Sequence, residues 1–140
     1  MLDDLGLAPS VRWYVQRYAE RSDVTVKFEL GEFEQRLAPD IETALYRVLQ
    51  EALTNIARHA QATHVHLRLH ATPSEVVAYV EDDGVGFDVA SIMDHEHQYG
   101  GAGLLGMRER ITLLGGALTF VSEPGAGTQL YIAIPREETG

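Results

Sequence analysis

Two stretches of the chain place apolar side chains on every second residue in paired runs joined only by a tight turn, and few architectures accommodate that. Val65, Leu67 and Leu69 alternate with His64, His66, Arg68 and His70, and after Thr72-Pro73-Ser74 the alternation restarts at Val76, Ala78 and Val80. Later, Leu118 and Phe120 share one parity with Ser122, Pro124-Gly125-Ala126-Gly127 turns, and Leu130, Ile132 and Ile134 follow. A period of two marks a half-buried strand, and strands joined by so short a link pair antiparallel. The outward residues of the first run are polar, which predicts helices on one sheet face only. The expected fold is therefore a two-layer α/β sandwich with a mixed, mainly antiparallel sheet.

The remaining elements supply the helical layer. Val11, Tyr14, Val15 and Tyr18 sit at helical spacing within a helix predicted over Pro9–Arg21, and Val24, Val26, Phe28 and Leu30 alternate as another strand. From Ile41 to Ala60 the apolar set Ile41, Ala44, Leu45, Val48, Leu49, Ala52, Leu53 and Ile56 defines a long amphipathic helix. Leu104, Met107, Ile111 and Leu114 predict a further helix that Gly115-Gly116 ends. Asp88–Gly101 is polar and without periodicity, so it reads as a mobile loop. The order of elements is not a repeated βαβ alternation.

With 140 residues, 45% of them hydrophobic, the chain fits one domain with one core. It has no cysteine, which excludes disulfides, thiolate metal sites and cysteine nucleophiles. Met1-Leu2-Asp3-Asp4 does not open like a signal peptide, and no apolar run reaches membrane-spanning length. The net charge of −10 repels DNA and RNA. A bound anion would need local help from glycine amides, a helix start, arginines or a metal.

Parity points to where such help lies. Asp82 shares the inward parity of Val76, Ala78 and Val80, so a buried strand face ends in a carboxylate, which is costly without donors. Asp83 takes the outward parity. Thr128 shares the inward parity of Leu130 and Ile132. An exocyclic amine such as that of adenine would satisfy Asp82 beside a threonine hydroxyl. Equally, Asp82 could cap the turn that follows by accepting from the amides of Gly84 and its neighbours. Gly84 and Gly86, flanking Val85, permit close approach to the backbone.

On the long helix, Glu51 and Asn55 are one turn apart on the polar side, a donor pair for a hard cation such as Mg²⁺ that shares phosphates. Arg58 and His59 continue that side toward phosphate oxygens, although a solvated helix face would look the same. Gly100, Gly101, Gly103 and Gly106 lead into the helix starting near Leu104, an arrangement that aims amides and a helix dipole at one point. Arg108 and Arg110 read as surface residues. The stripe His64, His66 and His70 has no carboxylate or cysteine placed to complete a metal site, and His95-Glu96-His97 lacks zinc-protease spacing and reads as loop filler.

Taken together, three of these segments resemble sensor histidine kinases. Gln50-Glu51-Ala52-Leu53-Thr54-Asn55-Ile56-Ala57-Arg58-His59-Ala60 is similar to their asparagine box, and Glu81-Asp82-Asp83-Gly84-Val85-Gly86-Phe87 to their first glycine box. Gly101-Ala102-Gly103-Leu104-Leu105-Gly106-Met107-Arg108-Glu109-Arg110 resembles the second, with Gly115-Gly116 and Pro124-Gly125-Ala126-Gly127-Thr128 after it. The wording is most like the nitrate-sensor and lipid-fluidity-sensor branch. The resemblance implies a Bergerat ATP-binding fold and ATP with Mg²⁺ as cofactors. It implies that Asn55 holds the metal, that Asp82 reads the adenine amine with Thr128 in its network, and that Gly84 and Gly86 line the base. Backbone at Gly101, Gly103, Leu104 and Gly106 would face the phosphates, and residues 88–103 would form an ATP lid. Glu51 stands where ATPases of this superfamily keep a water-activating base.

The family's phosphoacceptor histidine precedes an acidic residue on an upstream helix, whereas the His-acid pair here, His95-Glu96, falls in the lid segment. The resemblance thus implies a catalytic fragment: residues 1–8 remain from a junction with dimerisation helices, 9–135 form the ATP-binding domain and 136–140 a tail. Its partners would be those helices, in a homodimeric parent of a kind that is usually membrane-bound, and a downstream response regulator. Alone the fragment would be a cytoplasmic monomer. Two rival readings stand beside this one: a Bergerat-type ATPase or anti-sigma-type serine kinase, and a nucleotide-binding module without chemistry.

Overall fold

The computed structural model describes residues 2–31, 36–100 and 103–136. The strands β1 (Thr25–Leu30), β2 (His64–Ala71), β3 (Glu75–Asp82), β4 (Ala117–Ser122) and β5 (Thr128–Pro135) form one sheet in the order β1-β2-β3-β5-β4. β1 and β2 are parallel, joined through a helix, and every other neighbouring pair is antiparallel. Both turns expected from the alternating runs therefore close hairpins. Val65, Leu67, Leu69, Val76, Ala78, Val80, Leu130, Ile132 and Ile134 are all buried, as their parity requires.

The helices are α1 (Leu2–Leu5), α2 (Leu7–Arg21), α3 (Pro39–Asn55), α4 (Val89–Tyr99) and α5 (Leu104–Thr112). Val11 and Val15 of α2, Leu45, Val48, Leu49 and Leu53 of α3, and Met107 and Ile111 of α5 join the strand residues in one core. Each such side chain contributes about 1.5–3 kcal/mol by leaving water, which fixes the helices over one sheet face. The opposite face keeps a polar and aromatic surface, where Tyr79 lies against Tyr131 at 4.9 Å between ring centres and Arg68 sits over Tyr79. This is the expected two-layer sandwich.

Two features depart from the sequence reading, and a third has no counterpart in it. Asp88–Gly101 is not a loop: α4 occupies most of it, with the Asp88 carboxylate accepting from the Ser91 amide as its N-cap. Its only buried apolar residue is Met93, so the periodic signal is too thin to read. The helix expected to run to Ala60 ends as α-helix at Asn55 and finishes in a π-helical turn, Ile56–Ala60, stopped by Gln61 at φ 53°. Glu42, on the first turn of α3, is only 2% exposed; its carboxylate takes the Arg36 guanidinium at 2.8 Å and the Leu7 amide at 3.2 Å. The bond from the Leu7 amide to the buried Glu42 carboxylate ties the start of α2 to the start of α3. Among the described residues no helix is long and apolar enough to cross a membrane.

Candidate functional site

Strand register assembles the polar heart of the site. Asp82 pairs with Thr128, and Thr128 pairs with Ser122, so three inward polar side chains form a row across β3, β5 and β4. The apolar parity of each strand runs out at this end of the sheet, and Asp82 and Thr128 of this row border a cavity of about 460 Å³ between the sheet, α3, α4 and α5. Val80, Leu130, Phe120 and Met107 give that cavity apolar walls. The combination suits a flat, mostly apolar ring with a polar edge.

Asp82 is 6% exposed, and one of its oxygens accepts from the Gly84 amide at 2.8 Å. The turn-capping reading is therefore correct, and it coexists with a carboxylate that borders the cavity. Burial pushes the Asp82 carboxyl above the ordinary aspartate range; the Gly84 amide offsets part of this, while Asp83 and Glu81 add to it. Ser122 fixes the hydrogen-bond direction next door. Its hydroxyl donates to the Gly127 carbonyl at 2.8 Å and accepts from the Phe87 amide at 2.9 Å. Having spent its one proton, Ser122 can only accept from the Thr128 hydroxyl, 2.9 Å away. Thr128 then presents lone pairs, so Asp82 and Thr128 are both acceptors. Parity had marked Ser122 as inward facing without revealing this role.

The glycines of the Asp-x-Gly-x-Gly loop answer to this chain's own backbone. A Cβ on Gly84 would overlap the Ala60 carbonyl, and one on Gly86, at φ +67°, would overlap the Glu123 carbonyl. The Val85 amide donates to Ala60 O at 2.7 Å, and the Gly125 amide to Val85 O at 2.5 Å. The loop is thus clamped between the π-helical turn and the β4–β5 turn. Gly86 borders the cavity; Gly84 faces a second concavity on the far side.

On the helical side, Asn55 and His59 border the cavity, one ending α3 and the other within the π-helical turn. A π turn commonly marks a functional position, here by rotating the residues after Asn55 out of α-helical register. Glu51 and Arg58 do not border the cavity, although both were candidates from spacing. Gly103 and Leu104 border it at the start of α5. Gly106 does not, and a Cβ there would meet nothing within 4 Å. Gly101 lies outside the described residues.

Glu96 and Asp83 both carry interactions that residue type and parity do not reveal. Glu96 is not loop filler: from α4 it borders the cavity and accepts from the amides of Leu104 at 3.1 Å and Leu105 at 3.2 Å. Asp83 accepts from the His64 amide at 2.9 Å, the Thr63 hydroxyl at 2.7 Å and the Thr63 amide at 2.8 Å. Those donors, the His64 amide foremost, hold its carboxyl well below the usual range. The histidine stripe is split among separate carboxylates, His64 with Asp83 and His66 with Glu29. No group of three or more His, Cys, Asp or Glu among the described residues could hold a metal.

A sandwich with helices on one face, and a cavity between an asparagine-ended helix, an Asp-x-Gly-x-Gly loop and a glycine-led helix, is the layout of an ATPase-type nucleotide domain. The chain belongs to the histidine kinase-, DNA gyrase B-, and HSP90-like ATPase family, whose pattern matches residues 40–138. Among curated relatives it is 39% identical over 137 residues to the signal transduction histidine-protein kinase/phosphatase DegS of Bacillus subtilis (strain 168), covering 96% of this chain and 35% of DegS. The DegS of Brevibacillus brevis is 37% identical over 134 residues, covering 96% of this chain and 33% of that protein. The sensor histidine kinase ComP of B. subtilis (strain 168) is 35% identical over 134 residues, covering 96% and 17%. The chain thus spans about a third of the length of the DegS proteins. A solved histidine kinase domain, from the blue-light activated histidine kinase of Erythrobacter litoralis EL346, shares the fold with a TM-score of 0.63 at 22% identity. That match covers 88% of this chain and 56% of the solved one.

Proposed function

We propose that this chain is the ATP-binding catalytic domain of a sensor histidine kinase and donates the γ-phosphate of ATP to a histidine on dimerisation helices. The carrying observation is the acceptor pair: a buried Asp82 carboxylate and a Thr128 oxygen at the closed end of an apolar cavity. Both oxygens match the exocyclic amine of adenine, whereas the carbonyl of guanine would meet two acceptors. From there the cavity reaches the α5 start, where amides lacking intrahelical partners suit phosphate oxygens.

Asn55 borders the cavity, and a single amide oxygen there suits a cation that takes few protein ligands and shares phosphates. Asn55 would hold Mg²⁺, which would neutralise charge on the phosphates during transfer. His59 stands where it can meet a phosphate oxygen. Glu51 and Arg58 lie away from the cavity, which gives water activation no support and leaves hydrolysis slow at most. His59 is on the cavity's own wall and His95 lies against Tyr99 with the rings tilted, 4.9 Å between ring centres, so neither is placed to approach in line. The acceptor histidine therefore comes from elsewhere in a dimeric parent, with a response regulator downstream. ATP supply places the domain on the cytoplasmic side.

Titration calorimetry with Mg²⁺ tests the reading. ATP should bind in preference to GTP, and Asp82→Asn should weaken ATP by roughly 10- to 150-fold, the worth of one charge-assisted hydrogen bond. Equal binding of the two nucleotides would refute the adenine assignment. With γ-labelled ATP, the chain alone should stay unlabelled, and added dimerisation helices should take up the label. Acid-labile label on His59 or His95 would show the acceptor to lie within the chain.

A further inference from the structure

The start of α5 is already occupied by an anion belonging to the chain itself. Both oxygens of Glu96 are engaged, one by the Leu104 amide at 3.1 Å and the other by the Leu105 amide at 3.2 Å. These are the first amides of the helix, which have no intrahelical acceptor and carry the positive end of its dipole. The approach is close because residue 103 is glycine: a Cβ there would stand 2.9 Å and 3.1 Å from the two carboxylate oxygens. Glu96 also borders the cavity, beside Gly103 and Leu104, so its carboxylate sits within the volume a nucleotide would use. Carboxylate and phosphate oxygens compete for the same donors by the same chemistry.

We infer that Glu96 is a built-in competitor for the nucleotide's phosphates, seated on the α5 amides until ATP displaces it. The inference rests on the ATP-site reading above and adds to it the residue that sets nucleotide affinity. α4 is held to the rest of the fold by few apolar contacts, which favours release of this contact. Beside Met93 it buries no other side chain, and it ends at Gly100, at φ +83° with open space around its Cα. Every ATP molecule that binds must first free the amides, so the affinity is lowered by the fraction of chains in which Glu96 occupies them.

The test compares wild type, Glu96→Gln and Asp94→Asn by calorimetry with Mg-ATP and with adenosine. Asp94 is exposed on the same helix, so its variant changes the net charge equally without touching α5. Glu96→Gln should bind ATP roughly 2- to 30-fold tighter, the range expected for an anion at a helix start. Adenosine, which has no phosphates, should bind both equally, and Asp94→Asn should match wild type. If wild type binds ATP and Glu96→Gln binds it no better, or Asp94→Asn tightens it as much, the inference falls and the ATP site stands. If neither wild type nor Glu96→Gln binds ATP, the site reading falls and takes the inference with it. A readout without any variant is hydrogen exchange at the Leu104 and Leu105 amides of the nucleotide-free chain. Protection there reports the Glu96 bonds, because the helix offers these amides nothing else; exchange at unprotected rates would overturn the inference.

Discussion

At the Asp82 end of the cavity backbone meets backbone, whereas at the α5 end a side chain holds a helix start. The Val85 amide rests on Ala60 O, the Gly125 amide on Val85 O, and the spaces where Gly84, Gly86 and Gly127 would carry a Cβ are filled by carbonyls. At the other end a Cβ on Gly100, after α4, or on Gly106, in α5, would meet nothing, and Glu96 makes the contact that backbone makes elsewhere. Both ends are rich in glycine, for opposite reasons. Glycine at the base end allows parts of the chain to lock together; glycine at the phosphate end leaves room. A site that must read one base and exchange several phosphates benefits from a fixed reader and a replaceable holder.

The largest effect expected from this contrast is at Gly86. Gly86→Ala forces a side chain onto a positive φ and into the Glu123 carbonyl, and should cost about 2–4 kcal/mol in urea denaturation. A cost below about 1 kcal/mol would mean that the base end yields as readily as the other. Ser122→Ala comes next. It leaves the Phe87 amide and Gly127 carbonyl without their partner and frees the Thr128 proton, for a loss of about 1–3 kcal/mol. ATP should then lose part of its preference over GTP, since Thr128 can turn its proton toward a guanine carbonyl. Unchanged selectivity would detach Ser122 from base reading.

Smaller still is Gly106→Ala. With open space around it, this substitution in α5 should stabilise the fold by up to about 1 kcal/mol through helix propensity. Destabilisation beyond that would show that the phosphate end is packed more tightly than its geometry indicates. The mildest test sets adjacent carboxylates against each other by pH. Asp83, with its folded value lowered, contributes stability above the unfolded aspartate value near 4 that is lost as pH falls below it. Asp82, with its folded value raised, does the reverse: its contribution is present below about 4 and lost as pH rises through the raised value. Urea midpoints against pH should therefore lose part of their acid slope in Asp83→Asn and not in Asp82→Asn. Equal behaviour of the two variants would contradict the assignment of inner and outer faces.

What sequence could and could not show follows the same division. Parity on β3 and β5 placed Asp82 and Thr128 on the inner face, because a strand repeats every two residues and one buried face leaves no freedom of register. The long helix was legible for the same kind of reason, up to Asn55. Its π-helical finish was not, since no periodicity announces a one-residue offset. α4 was missed because Met93 is its only buried apolar anchor. Glu96 and Ser122 were unreadable in a different way. Their importance lies in which atoms they meet across 8 residues of chain and across neighbouring strands, and residue type alone does not carry that. Gly84 and Gly86 are legible in the sequence as places of close approach, but residue type does not reveal that the chain's own carbonyls are among the groups that approach them.

A crystal structure of the chain with a non-hydrolysable ATP analogue and Mg²⁺ tests the central claim most directly. The adenine amine should lie within hydrogen-bond distance of Asp82 and Thr128, with Val85, Ala60 and Gly125 still joined as they are without nucleotide. The phosphates should take the Leu104 and Leu105 amides, with the Glu96 carboxylate withdrawn from both. A nucleotide bound elsewhere, or one bound in the cavity with Glu96 still on those amides, would contradict the account.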